Sequence, residues 1–442
     1  MFENSKIFIL GMARSGYEAA KLLASHNNQI LVTDKQEQDI EHVKELEKLG
    51  VKVVITETPL ELLDNSYNVV IKNPGIKPNH EVVEKAINLG IPVVTEIEVA
   101  YYFKPSSVKI VAVTGSNGKT TTTTLIYEML KSAGLPVKLG GNIGYPVCSL
   151  VNNTNENDIW VLEISGQQLH DIIKFKPDIS ILTNLSPVHL DYFGDYDNYI
   201  KSKCQIFKNH TNNDVAILNH DNLDVINSTK DIPSKRVYFS SKENSDLCLK
   251  DNAIYYYSEK IINLNDILIK GNHNYENAMC AIAVCKYFNV DNKYIYDVLS
   301  TFKGVEHRIE FVKDVNGRKF YNDSKATNVK STEIALSAFN NPTILLMGGL
   351  DRGHSFDELK DYLNNTKHII CFGETKNRIK EFADKLNIPC TIVENVKEAV
   401  KLSYELSQPE DIVLLSPACA SWDQYKCFED RGDDFKTSVE SL

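Results

Sequence analysis

Residues 111–123 read VAVTGSNGKTTTT: an apolar run, a glycine-framed turn, a lysine and four threonines. The run Lys109–Val113 is predicted to be a buried strand, and the segment from Lys119 a helix that ends at Gly134. A strand that feeds a helix through a glycine turn is the building unit of an open α/β sheet. Such a turn points backbone N–H groups at one spot, and the helix N-terminus adds partial positive charge there. Lys119 supplies a full charge for phosphate, and Thr120 a hydroxyl suited to Mg²⁺. The loop Gly115-Ser116-Asn117-Gly118-Lys119-Thr120 is shorter than the GxxxxGK[ST] form, but it predicts a bound nucleoside triphosphate. It leaves open what the energy is for.

Alternating strand and helix signals fall into three blocks, and 442 residues exceed what one core organises. The first is assigned to 1–97. Its strands are KIFIL, QILVTD, VKVVI and NVVIKN, and its opening turn Gly11-Met12-Ala13-Arg14-Ser15-Gly16 follows a strand and starts a helix. With Asp34 closing the next strand, this resembles a dinucleotide fingerprint in which Ala13 replaces the middle glycine. Either the turn holds a phosphate-bearing ligand or it is a plain strand-to-helix connection. The second block, 98–304, carries the phosphate loop, strands IWVLEIS, ISILTNL and DVAILN, a hairpin in LCLKDNAIYYY, and closing helices over 275–288 and 291–302. The third, 305–442, opens with a hairpin at Asn316-Gly317 and continues through TILLMGG, HIICFG, CTIVEN and DIVLLSP as a further α/β sheet.

A net charge of −11 argues against general nucleic-acid binding. Nine cysteines without CxxC or metal-type spacing read as reduced thiols of a cytoplasmic protein, with Cys280 and Cys285 packed inside a helix. No apolar run reaches spanning length, so no membrane insertion is expected.

Open α/β sheets bind ligands at the carboxyl ends of their strands. Glu163 ends IWVLEIS. Alone it reads as a capping or surface acid; beside a phosphate loop, with no Asp at that place, it reads as a Mg²⁺ ligand. His189 and Asp191 follow ISILTNL, where a lone histidine is structural but a His and an Asp near Glu163 suit a second divalent ion. Asn142, in GGNIG, sits at a similar rim with amide groups for phosphate or substrate. Lys201 and Lys203, in YDNYIKSKCQIF, read as two solvated lysines on sequence physics alone. In the third block, Glu306-His307-Arg308 opens the domain, and Asn322-Asp323-Ser324-Lys325-Ala326-Thr327-Asn328 and Leu350-Asp351-Arg352-Gly353 lie at strand ends. Residues 416–423, SPACASWD, are expected to open the last helix and offer free amides and the Ser421 hydroxyl to a carboxylate.

With these motifs in view, the chain resembles the Mur ligase family over essentially its whole length. The loop GSNGKTT is shared across that superfamily, folylpolyglutamate synthetases included. NDSKATN at 322–328 and LSPACASWDQYKCFEDRG at 415–432 resemble the D-glutamate-adding member, and the DNPR signature of the diamino-acid-adding ligase is absent. The resemblance implies three domains: a Rossmann-like UDP-sugar-binding domain, a central ATPase-type domain and a Rossmann-like amino-acid-binding domain. It implies an ATP-dependent ligase joining D-glutamate to UDP-N-acetylmuramoyl-L-alanine through an acyl phosphate, as a cytoplasmic monomer.

Roles follow by resemblance. Lys119, Thr120 and Thr121 would hold ATP and Mg²⁺, Glu163 one Mg²⁺, and His189 a second. Lys203 would carry CO₂ as a metal-binding carbamate, reversing its solvated reading. Asn142 would contact the reacting groups, Asn272 and Asn277 the base, and Arg308, Asp323 and Lys325 the rest of ATP. Thr327, Arg352, Ser421 and Phe428 would receive D-glutamate; Ser15, Asp34, Lys35, Asn73, Pro74 and Gly75 would hold the UDP end. Arg352 stands where some members have Lys, and Gly166-Gln167 stand where the family commonly has Ser-Phe. The rivals are another amino-acid ligase of the superfamily, a nucleotide-dependent switch, and an oxidoreductase led by GMARSG.

Overall fold

The computed structural model describes residues 1–188 and 190–442, with the side chains of Asp191 and Lys330 outside the description. The described chain forms two compact units, Met1–Phe302 and Lys303–Leu442. Three sheets carry the fold, two in the first unit and one in the second.

The first sheet is five-stranded and parallel, in spatial order Lys52–Ile55, Gln29–Asp34, Lys6–Leu10, Val69–Lys72, Val93–Val94. Its strand order reverses between Lys6–Leu10 and Val69–Lys72, so a crevice opens beyond their carboxyl ends. The second sheet has nine strands. One end of it runs Val215–Asn219, Ile179–Leu182, Lys109–Thr114, Ile159–Glu163 and, at the edge, Val137–Gly141, all parallel. Ile159–Glu163 is buried at every position, as a strand covered on both faces must be. The hairpin in 247–256 forms as antiparallel strands Leu247–Lys250 and Ala253–Tyr256, and a third strand, Glu259–Asn263, extends it.

Helix Glu96–Phe103 seams these two sheets together, and the boundary expected at 97/98 falls inside it. Glu98 accepts backbone N–H bonds from Ile173, Lys174 and Phe175, and the Thr95 hydroxyl donates to the Gln168 carbonyl. One hydrophobic core therefore runs continuously from Ile7 and Val32 through Val99 to Leu162. The opposite face of the second sheet is covered by helices Lys119–Ser132 and Asn272–Tyr287, with Cys280 and Cys285 fully buried there.

The second unit holds a six-stranded sheet in order Glu310–Val315, Arg318–Asn322, Ile412–Leu415, Thr343–Gly348, Thr366–Phe372, Cys390–Ile392. Asn316 (φ 53°) and Gly317 (φ 80°) make the two-residue turn of its opening hairpin. Segment 416–423 does not open the last helix, which is Phe428–Glu440. Instead Ala418 adopts φ 57° and Ala420 bridges back to Leu350, holding the segment as a loop along the strand ends.

Candidate active site

The phosphate loop is held from beneath by the neighbouring strand end. Ser116 N–H donates to the Asn184 carbonyl at 2.9 Å, Asn117 N–H to Asn184 Oδ1 at 3.0 Å, and the Thr183 hydroxyl to the Asn117 carbonyl at 2.6 Å. Two glycines are compulsory. Gly115 has φ 146°, and a Cβ there would lie 1.9 Å from Thr183 Oγ1. Gly118 caps the helix at φ 81°, and its Cβ would fall 2.3 Å from Asn277 Oδ1. Lys119 Nζ donates to the Gly115 and Ser116 carbonyls at 2.9 and 3.0 Å, which places its charge over the loop. Thr120 is buried at the first turn and Thr121 is half-buried beside it.

Asn277 Oδ1 accepts from the Thr122 hydroxyl at 3.1 Å, so this residue lies against the loop, while Asn272 starts its helix exposed to solvent.

Glu163 is level with Val113 and Gly141 on the adjacent strands, which brings it to the rim of the loop. It is buried; Oε1 accepts from Asn142 Nδ2 at 2.8 Å, and Oε2 has no partner among the described residues. An unsatisfied buried carboxylate oxygen is costly unless it serves a cation. Lys203 is buried too, correcting its reading as a solvated lysine. Its Nζ lies 3.5 Å from Thr114 Oγ1 and 5.0 Å from the Tyr199 ring centre. Burial, and secondarily the Lys119 ammonium, push its amine well below the usual lysine range, against an opposing pull from Glu163. Lys201 is exposed and lines a cavity of 540 Å³ with Lys77, His170 and Tyr192. The structure thus gathers the Gly115–Thr121 loop, Asn142, Glu163 and Lys203 at one place. His189 lies outside the described residues. The Thr120 hydroxyl and a carboxylate with a spare oxygen are oxygen donors of the kind that fits Mg²⁺.

At the first sheet's crevice, Asp34 accepts from Met12 N–H at 2.8 Å and from Gln36 N–H at 3.1 Å. Asn73 donates to Ser15 Oγ at 3.2 Å and accepts from Gly75 N–H at 3.0 Å, so Asn73-Pro74-Gly75 faces the opening turn. Lys35 is exposed; the His80 ring is lowered by burial and by the nearby Lys35 charge. Ala13 sits at φ 22°, the positive region its glycine counterpart would adopt freely.

In the second unit, Asp323 is buried, accepting from the Ser416 hydroxyl at 2.7 Å and from Ile309 N–H at 3.2 Å. Burial pushes its carboxyl up to about 7 despite these bonds and the Arg308 charge. Lys325 Nζ lies 5.6 Å from the Phe428 ring centre, and Thr327 is half-buried two residues on. Arg352 stacks its guanidinium 4.8 Å from the ring centre of exposed Trp422. Next to it in sequence, Ser421 is buried and its hydroxyl has no partner among the described residues.

Three features escape a sequence reading. Arg431 is fully buried and donates to Ser324 Oγ and O and to the Gly348 and Cys419 carbonyls, tying three loops together. Lys72, buried in a strand, pairs with Asp171 at 2.9 Å and donates to the Tyr192 hydroxyl at 3.0 Å. Arg14 donates to the Gly144 carbonyl, reaching from the opening turn to the GGNIG loop. The only hint for Arg431 is its place in the EDRG run; nothing local marks the other two.

Family models match nearly the whole chain: a Mur ligase MurD-like N-terminal domain over 5–95, a Mur ligase middle domain over 113–285 and a Mur ligase glutamate ligase domain over 307–419. The chain belongs to the Mur ligase family. UDP-N-acetylmuramoylalanine–D-glutamate ligase of Geobacillus kaustophilus is 44% identical over all of this chain and 98% of its own length. The enzyme of the same name from Bacillus cereus strain AH187 is 45% identical over the same shares. Among solved structures, the UDP-N-acetylmuramate–alanine ligase of Thermotoga maritima covers 99% of both chains at TM-score 0.62 and 18% identity. MurF ligase of Thermotoga maritima, in complex with ADP, covers 99% of this chain and 98% of its own at TM-score 0.58, also at 18% identity. These two establish the fold.

Proposed function

We propose that this chain is the ATP-dependent ligase that adds D-glutamate to UDP-N-acetylmuramoyl-L-alanine in peptidoglycan precursor synthesis, working as a cytoplasmic monomer. What carries the ATP chemistry is the meeting of the Gly115–Thr120 loop with Glu163, a buried strand-end carboxylate with one oxygen unused. The choice of amino acid follows the full-length relatives.

In this reading residues 1–97 bind the UDP-sugar, 98–304 bind ATP and 305–442 receive the amino acid. Ser15, Asp34, Lys35 and Asn73-Pro74-Gly75 hold the UDP end. Loop amides cradle the phosphates, and Lys119 neutralises charge as the L-alanyl carboxylate attacks the γ-phosphate. An acyl phosphate and ADP form; the amine of D-glutamate then attacks the acyl carbon and phosphate leaves. Mg²⁺, when bound, supplies charge neutralisation on the phosphates, held by Thr120, Glu163, His189 and a carbamate on Lys203, a set sufficient for two ions. Carbamate formation needs a neutral amine that attacks CO₂, and a buried lysine whose amine is held well below the usual range supplies one. Asn142, which bonds Glu163 Oε1, contacts the reacting groups in this reading. Asn272, Asn277, Arg308, Asp323 and Lys325 serve ATP; Thr327, Arg352, Ser421 and the Phe428 region serve D-glutamate. The unpartnered Ser421 hydroxyl and the stacked Arg352 guanidinium both suit a carboxylate.

A phosphate-release assay with the UDP-sugar and, separately, D-glutamate, L-glutamate and L-alanine tests this. Release should require both the UDP-sugar and D-glutamate. Release with ATP alone would point to a switch, and preference for another amino acid to a different ligase.

A further inference from the structure

Two cysteines of the second unit touch each other. Cys371, fully buried on strand Thr366–Phe372, has its sulfur 3.5 Å from that of Cys390 on Cys390–Ile392. The register pairs Ile369 with Cys390 and Cys371 with Ile392, so the two thiols are diagonal neighbours on one face of the sheet. Cys390–Ile392 is an edge strand of only three residues, paired on one side, and Cys390 is half-buried. It combines the freedom to shift with access from solvent, whereas Cys371 lies behind it. We propose that Cys371 and Cys390 are a thiol-modification site: a dithiol that closes to a reversible disulfide under a peroxide and, by doing so, weakens use of the amino-acid substrate.

The surroundings support attack by Cys390. The two sulfurs share a hydrogen bond in which either can donate; that bond and the nearby Lys380 ammonium hold the Cys390 thiol below its usual range, against burial and, more weakly, Asp384, which pairs with Lys380. His368, also at this edge, has its imidazole shifted below the usual range by burial and by the Lys380 charge, and bonds Thr391 at 2.9 Å. In the first step the Cys390 thiolate attacks one peroxide oxygen, giving a sulfenic acid and hydroxide. In the second, Cys371 sulfur attacks the sulfenic sulfur; the S–O bond breaks and the thiol proton leaves with the oxygen as water. Two thiols and one hydrogen peroxide thus give one disulfide and two waters. A disulfide is about 2.0 Å long, so the sulfurs must approach by roughly 1.5 Å.

That movement reaches the candidate site through the strand itself. Directly beyond Cys371 and Phe372, Thr375 exchanges bonds with Gly349 at 3.1 Å in both directions, and Glu374 N–H donates to Asp423 at 3.1 Å. Gly349 and Asp423 flank the loops that carry Arg352 and Ser421. Only this kinetic half rests on the ligase reading; the crosslink does not.

The test is graded hydrogen peroxide on the intact protein, thiol blocking, digestion and mass spectrometry. The expected product is a Cys371–Cys390 peptide pair that dithiothreitol releases and that Cys390→Ser and Cys390→Ala lack. Modification of half-buried Cys427 while Cys371 and Cys390 stay as thiols would overturn the site. In steady-state ligation, the crosslinked protein should show a KM for D-glutamate raised about 2- to 10-fold, with KM for ATP unchanged and Cys390→Ser insensitive to peroxide. An unchanged KM in fully crosslinked protein would overturn the coupling. Loss of the ligation reaction in untreated protein would instead indict the functional reading.

Discussion

Glu163 and Asp323 are both carboxylates at strand ends, one in each unit, and both are buried, yet they are finished differently. Asp323 has both oxygens occupied, by the Ser416 hydroxyl and by Ile309 N–H. Glu163 has one oxygen occupied and one without a partner among the described residues, beside the loop that carries Lys119. A carboxylate with spare lone pairs near a phosphate site is equipped for a cation. One closed in by its own fold instead raises its proton affinity and shapes the loops around it. Burial alone therefore does not identify a ligand; the unspent hydrogen-bonding capacity does.

The harshest test of this contrast is Lys119→Ala, which should cut turnover by on the order of 10³-fold while the UDP-sugar still binds. Near-normal turnover would remove the phosphate-loop assignment. Glu163→Gln keeps the bond to Asn142 within reach but loses the spare charged oxygen. Turnover should fall by about 10²-fold, with a steeper Mg²⁺ requirement in a metal titration. Lys203→Ala should lose activity to a similar or smaller degree and regain part of it with bicarbonate or a short-chain acid; full activity without rescue would refute the carbamate.

Asp323→Asn should weaken use of ATP and also change how stability depends on pH. In the fold this carboxyl keeps its proton up to about 7, against 3.8 for an aspartate in the unfolded chain. Between those limits the folded chain binds more protons than the unfolded chain, so stability falls as pH rises through that window. The variant escapes this loss, and its Tm advantage should grow by roughly 2–4 °C between pH 5 and pH 8. A flat difference across that range would show that Asp323 ionises as an ordinary aspartate. The mildest change is Gly166→Ser, the residue common in the family. The added Cβ would lie 3.1 Å from Phe193 Cζ and 3.6 Å from Lys203 Cγ, a fit that needs only a small shift. Turnover should change by less than about threefold, and a larger loss would mark the glycine as a specific accommodation around Lys203.

Much of the α/β organisation is legible in the chain because many of the parallel strands, such as Ile159–Glu163 and Ile412–Leu415, are apolar runs closed by a polar group. VAVTGSNGKTTTT is itself strand, turn and helix start in thirteen residues. Resemblance supplies Lys203, which sequence physics alone places in solvent. The helical segment 196–204 carries too little apolar signal to show which of Lys201 and Lys203 faces inward. The segment 416–423 reads as a helix start because it follows a strand and holds capping residues. Its backbone instead turns at Ala418 and pairs with Leu350, a contact 70 residues away in sequence that no local pattern contains. Helix Glu96–Phe103 is similarly hidden as a seam, since the three backbone amides that bond Glu98 come from 173–175, more than seventy residues on.

The sequence by itself determined the phosphate loop, the alternation of strands and helices, and the rim positions, because these depend on residues adjacent along the chain. Only the tertiary structure decided that Lys203 is buried, that Glu163 keeps an oxygen in reserve, that Arg431 ties three loops, and that two thiols far apart in sequence meet across an edge strand. Each of these depends on which groups remain unsatisfied or become desolvated once distant segments pack, and that is a property of the assembled fold.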